Sequence, residues 1–155
     1  MKTKAIAPVM IMLFLTTITA IATPVRAQPA VNMWINMNPE TAPPARGGPI
    51  MVYDSENEVV VLFGGGEFWV QYGNYFGDTW TYSVKTNTWI NMNPEVAPCP
   101  RAGHGMTYDS DSKVVVLYGG VQYPWEGPLF DTWIYDVNTN TWTQMNPANP
   151  PQLFD

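Results

Sequence analysis

Histidine, cysteine and helical patterning are what this chain most lacks. The sole histidine among 155 residues, His104, has no second imidazole with which to share a metal, and the single cysteine, Cys99, excludes any intrachain disulfide. No window places apolar residues at the spacing of an amphipathic helix. Charged residues make up only 13% of the chain, and basic ones are scarcer still. Taking away residues 1–27 removes Lys2, Lys4 and Arg26 and no acid, so four basic residues then face 13 acids, a formal charge of −9. Such a surface repels nucleic acid and excludes that class of partner.

In their place stand 15 Pro, 12 Gly and 14% aromatics. Turn formers at that density among Val, Thr, Tyr and Trp suit many short strands, and the length suits one domain. Residues 1–27 read as a leader: Lys2 and Lys4 open it, Ile6–Ala22 is mostly apolar, and Val25 and Ala27 allow cleavage before Gln28, with Ala20 and Ala22 as an earlier site. An uncleaved anchor is the alternative, with membrane attachment following only in that case. Either way the rest is expected outside the cytoplasm, as a secreted chain if cleaved.

The remainder says nearly the same thing twice. MWINMNPETAPPARGGPIMVYDSENEVVVLFGG, from Met33, lies over TWINMNPEVAPCPRAGHGMTYDSDSKVVVLYGG, from Thr88, and DTWTYSVKTNT then matches DTWIYDVNTNT. Trp34 to Trp89 spans 55 residues and Trp89 to Trp142 spans 53, a period of blade-type repeats rather than helical solenoids. In the first unit, strands are expected at Gly48–Tyr53, Val59–Gly64, Asp78–Ser83 and Thr88–Met92; in the second, at Gly103–Tyr108, Val114–Gly119, Asp131–Tyr135 and Thr141–Met145. Val59–Phe63 and Val114–Leu117 are apolar without alternation, which predicts burial on both faces. The proline-rich Asn38–Arg46 cannot continue a sheet interior and reads as a connector.

Pro100-Arg101-Ala102-Gly103-His104, Tyr118-Gly119-Gly120, Tyr135-Asp136 and Thr141-Trp142 resemble one kelch repeat. The first copy carries Arg46-Gly47-Gly48, Phe63-Gly64-Gly65, Tyr82 and Trp89, and departs from the second in having Pro49 for His104 and Ser83 for Asp136. The resemblance implies an all-β fold: a partial β-propeller of two four-stranded antiparallel blades, 46–92 and 101–145, within a domain of 28–155. Gly64, Gly65, Gly119 and Gly120 let the backbone swing out of the second strand, and Trp89 and Trp142 fill the outer space between blades. Met33–Met37 reads as an extra outer strand that lacks a blade of its own. Residues 146–155 begin a further repeat, with Gln152 and Leu153 where Arg-Gly is expected. A truncated piece of a longer propeller is the favoured explanation; copies closing a ring by self-association through uncovered blade faces is the other.

Naming the strands of each blade A to D, the B–C loops and D–A connectors share one end. That end gathers Phe68, Trp69, Tyr72, Tyr75 and Phe76 from one loop and Tyr123, Trp125 and Phe130 from the other. Such rings on a rigid scaffold either bind sugar faces or apolar side chains, or cap the core. Arg46 and Arg101 meet either a ligand carboxylate or a structural acid such as Glu40 or Glu95. His104 is expected to be a hydrogen-bonded strand residue. Cys99, between Pro98 and Pro100, reads as a buried small apolar group before a free thiol. Asp54-Ser55-Glu56-Asn57 and Asp109-Ser110-Asp111-Ser112 lack the glycine and final Glu of an EF-hand and read as turns rather than calcium loops.

The resemblance extends to galactose oxidase, whose copper site needs several His and Tyr ligands and a cross-linked Cys–Tyr pair. One histidine, and Cys99 in a connector, do not supply that set. The expectation is therefore an exported, non-enzymatic module without cofactor or metal, contacting a protein through its B–C loops and D–A connectors. A glycan-binding propeller fragment using the loop aromatics and a remnant of a copper-radical oxidase are the alternatives.

Overall fold

A computed structural model of the protein describes residues 33–68, 74–122, 127–149 and 151. The chain divides into two units, 1–35 and 36–155. Residues 1–27, for which a leader is expected, and Trp69, Tyr72, Tyr123, Trp125, Gln152 and Leu153 lie outside the described residues.

Eight strands form two sheets: β1 (Ile50–Asp54), β2 (Val59–Phe63), β3 (Thr79–Ser83), β4 (Thr88–Asn91), β5 (Gly105–Asp109), β6 (Val114–Val121), β7 (Pro128–Asp136) and β8 (Thr141–Met145). Each sheet is a four-stranded antiparallel meander, β1-β2-β3-β4 and β5-β6-β7-β8. No helix occurs among the described residues. The strands fall where the sequence places them, within a few residues at their ends. The larger difference is in β6 and β7, which run on beyond Gly119 and begin before Asp131. A register shift between Tyr118 and Gly120 makes this extension possible, because Gly119 (φ 69°) and Gly120 (φ 100°) bulge the strand without breaking its pairing.

The A–B turns are tied by their aspartates. Asp54 Oδ1 accepts from the amides of Glu56 and Asn57, and Asp109 Oδ1 from those of Asp111 and Ser112, which makes both sequences turns as expected. Each turn leaves through a residue at positive φ, Glu58 (55°) and Lys113 (58°).

The core is the seam between the sheets. Side chains alternate across a strand, so each sheet has two faces. Val61, Phe63, Thr79 and Thr81 of the first sheet bury against Val115, Leu117, Trp133, Tyr135 and Trp142 of the second. The Trp142 indole tilts on Phe63 with centroids 5.1 Å apart, and its Nε1–H donates to Thr79 Oγ1 at 2.9 Å, 63 residues away. Burial on both faces of the apolar runs is met only in part. In β2, Val61, Leu62 and Phe63 are all buried, whereas in β6 burial alternates.

Residues 33–37 carry no strand. The letters are those of a strand, but a strand needs a neighbour to receive its hydrogen bonds, and no described strand pairs with this stretch. The end of it is held all the same: Asn87 Nδ2 donates to the Met37 carbonyl at 2.7 Å, just as Asn140 Nδ2 donates to the Met92 carbonyl at 2.7 Å one repeat later.

Candidate functional site

Each connector delivers one arginine into the sheet that follows it. Arg101 is fully buried (0% exposed), and its guanidinium is bidentate to Asp131, with Nη1 to Oδ1 at 2.5 Å and Nη2 to Oδ2 at 2.8 Å. It also donates to the carbonyls of Gly119 and Cys99. Arg46 repeats the pattern on Asp78 at 2.5 and 2.8 Å and lies over the Phe76 ring at 4.0 Å. Trp80 and Trp133 complete the clusters by donating Nε1–H to Asp78 and Asp131. Of the two roles open to these arginines, the geometry is that of structural ion pairs. Their acids are Asp78 and Asp131, some 30 residues on, rather than Glu40 or Glu95. Burial alone pushes the Asp131 carboxyl up, but the hydrogen bonds from Arg101 and Trp133 and the guanidinium charge outweigh it and hold it below the usual range; Asp78 is held down in the same way.

The repeated Tyr and Asn form a second relay. Tyr82 and Tyr135 donate their hydroxyl hydrogens to Asn87 Oδ1 and Asn140 Oδ1 at 2.9 and 2.8 Å, which turns each amide NH₂ toward the Met37 or Met92 carbonyl. Burial, with the charge of Asp136, pushes the Tyr135 phenol up, so it stays a donor at any ordinary pH. The pairs Asp78/Asp131, Trp80/Trp133 and Asn87/Asn140 lie in the doubled DTW and TNT runs, whose letters show a repeat but not which side chains meet.

His104 departs from expectation. It precedes β5, lies 4% exposed at the seam, and neither ring nitrogen has a hydrogen-bond partner. Its ring meets Phe63 edge-on at 5.7 Å and touches Gly64, where an added Cβ would fall 2.7 Å from its Cε1. A small residue at 64 is therefore a condition of the fit. Burial, and then the charge of Arg101, lower its pKa to about 4. Between pH 6.5 and about 4 the unfolded chain takes up this proton and the folded chain does not, so stability is full above 6.5 and falls as the pH drops to about 4, by at most about 3 kcal/mol. His104→Leu should remove that step and leave stability at pH 7 unchanged or raised, because the imidazole nitrogens bond to nothing. Urea titrations of both proteins at pH 7 and pH 4.5 check this. An acid step of the same size in the variant contradicts it.

Cys99 is half-buried rather than a buried apolar filler, and its Sγ accepts from Arg101 Nη2 at 3.1 Å. Among the described residues no group of three His, Cys, Asp or Glu side chains is placed to hold a metal, and no helix is long and apolar enough to cross a membrane.

The loop end is built on glycine. Gly47 and Gly66 exchange backbone hydrogen bonds at 2.8 and 2.9 Å, and Gly66 also bridges to Tyr75. Phe68 lies across this ledge. A Cβ at Gly47 or Gly66 would sit 2.9 Å from its ring, and Tyr75 meets it edge-on at 5.8 Å. The ring nevertheless stands 56% exposed, and Phe130 is exposed on the second loop's return. On blade two a pocket of about 270 Å³ is lined by residues including Gly103, Tyr118, Gly119, Gly120 and Leu129. The Tyr118 hydroxyl bonds to the Pro151 carbonyl beside it.

Two sheets of equal register, each with an Arg–Asp–Trp cluster, a double glycine and a Tyr–Asn relay at matching offsets, are repeats of one kind. A family model, the KLHDC2/KLHL20/DRC7 kelch-repeats domain, matches residues 26–152. The chain belongs to the kelch-repeat family. The kelch relatives it matches include "Kelch domain-containing protein 1" of Mus musculus, 35% identical over 79 residues, and its namesake of Homo sapiens, 38% identical over 79 residues. In each case the match covers 50% of this chain and 18% of the relative. Kelch repeats are generally protein-interaction modules and generally not enzymes. The kelch signature has a physical reading here. Its Arg closes each sheet on Asp, the double glycine of blade one makes room at the seam, its Tyr aims the asparagine that grips the preceding strand end, and the Trp of blade two, Trp142, joins that blade to the one before it.

Proposed function

We propose that this chain is an exported, non-enzymatic binding module that contacts a protein partner through the B–C loops and D–A connectors at one end of its blades. Phe68 carries the reading. Its ring is held out into solvent on a hydrogen-bonded glycine ledge, so it offers apolar area with little conformational freedom left to lose on binding. Phe130 extends the surface, and Tyr72, Tyr75, Trp69, Tyr123 and Trp125 belong to the same two loops. Arg46 and Arg101 stiffen the floor of this surface, since both guanidiniums are spent on aspartates.

Affinity capture from extracellular fluid tests it. Phe68→Ser removes the ring and Gly66→Ala drives a methyl group into it; both should weaken partner binding at least about tenfold, near 1.4 kcal/mol. Val84→Ser, an exposed apolar residue at the opposite end, should change nothing. A partner whose binding ignores Phe68 and Gly66 contradicts the assignment. Aromatic-dependent binding to immobilised glycans, without a protein partner, replaces it with the carbohydrate reading. Export is tested by the N-terminus of the secreted chain, expected at Gln28.

A further inference from the structure

We propose that the face of blade one turned away from blade two is a docking surface for a second copy of this chain, which seats the outward face of its own blade two there. The internal seam supplies the pattern. Met51, Tyr53, Trp80, Tyr82 and Trp89 occupy in blade one the register positions of the seam-facing Met106, Tyr108, Trp133, Tyr135 and Trp142, and each is identical to its counterpart. The environments are not identical. Trp142 is 3% exposed where Trp89 is half-buried, and Met51 and Tyr53 stand 57% and 55% exposed where Met106 and Tyr108 pack against the core. Blade one thus carries the apolar face that blade two buries.

The complementary surface is on the same chain. Facing outward from blade two, Val116, Tyr118 and Thr132 stand where the first sheet has the fully buried Val61, Phe63 and Thr79. Trp142 gives its indole hydrogen to Thr79, and Trp89 of a second copy has Thr132 in the matching place. The glycine receptacle also repeats. At Gly64–Gly65 blade one receives the Arg101 carbonyl, which accepts from Gly65 N–H at 2.9 Å, and the His104 ring. At Gly119–Gly120 the same place is the pocket of about 270 Å³; seating the Arg46–Pro49 stretch of a second copy there displaces the Pro151 carbonyl from the Tyr118 hydroxyl beside it. Docking also transfers Asn87 Nδ2 from the Met37 carbonyl to that of Met145, exchanging one hydrogen bond for its like.

One contact is opposed. The internal seam is bridged at its rim by Lys113–Glu56 at 2.8 Å, and the corresponding pair between copies is Glu58 facing Asp111. Salt screens this exposed repulsion, so association should tighten as ionic strength rises. The contact joins unlike patches and is therefore head-to-tail.

Sedimentation velocity of the 155-residue chain across the micromolar range tests the proposal. The mass should rise with concentration and with salt. Tyr53→Lys on one face and Ile134→Lys on the other should each weaken association about 30-fold or more while melting like the parent at protein concentrations too low for association, with Thr132→Lys taking the place of Ile134→Lys if that variant does not fold. Mixing one variant of each kind restores one good face pair, so the mixture should form a dimer and stop there. A parent that stays monomeric at every concentration, association that survives both single variants, or a mixture that does not pair overturns the proposal. None of these outcomes depends on Phe68 or on the loop end, so the fate of the protein-partner reading is read separately.

Discussion

Trp142→Ala is expected to lower the unfolding free energy by about 3–5 kcal/mol, whereas Trp89→Ala, the same residue one repeat earlier, should cost about 1 kcal/mol. The residues are equivalent in sequence and register; only their neighbours differ. Trp142 stacks on Tyr135 at 4.8 Å and on Phe63 at 5.1 Å and donates to Thr79. Its loss opens a cavity along the seam and strands a fully buried threonine hydroxyl, so a transfer loss and an unsatisfied polar group add. Trp89 stacks on Tyr82 at 4.9 Å but has no described sheet in front of it. Urea denaturation of both variants at low protein concentration gives the comparison. Equal losses would mean that the two faces are equally covered. A Trp89→Ala loss that grows with protein concentration would instead place a second copy on blade one, because mass action then adds to the stability of the parent.

Much of this could be read from the letters, and what could not has a common cause. The repeat, the eight strands and the aspartate turns follow from pattern within a few residues, where alternation and turn chemistry act. A structural pairing of Arg46 and Arg101 with Glu40, Glu95 or another acid is legible in the letters; that the acids are those of the doubled Asp-Thr-Trp is not, because it depends on the connector carrying each guanidinium across to the third strand of its sheet. A hydrogen bond for His104 is the expectation from sequence. Its neighbours Phe63 and Gly64 belong to the other blade, some 40 residues back, and offer it none. Met33–Met37 shows the same limit from the other side. Its letters match those of β4, but pairing is a property of two strands, and the second is not among the described residues.

Asp131→Ala is expected to cost about 3–5 kcal/mol, since it leaves the Arg101 guanidinium buried without a counter-charge. Arg101→Met should cost less, because Asp131 is partly exposed and keeps the Trp133 hydrogen bond. The double variant should lose less than the two singles together, with a coupling of about 1–3 kcal/mol by a double-mutant cycle. Recovery will be incomplete, because the carbonyls of Gly119 and Cys99 and the Trp133 N–H also lose partners. The acid limb gives an independent check. With the Asp131 carboxyl held below 3.8, the pair contributes in full above 3.8 and is lost as the pH falls from there through the lower folded value, so Asp131→Ala should flatten the stability profile below 3.8. His104 acts in the separate window between 6.5 and about 4, and burial rather than Arg101 is the larger cause of its low pKa. Arg101→Met should therefore narrow that upper step without removing it, because the ring stays buried after the cation is gone. A variant whose upper step vanished with the guanidinium would show that charge, not burial, keeps His104 neutral.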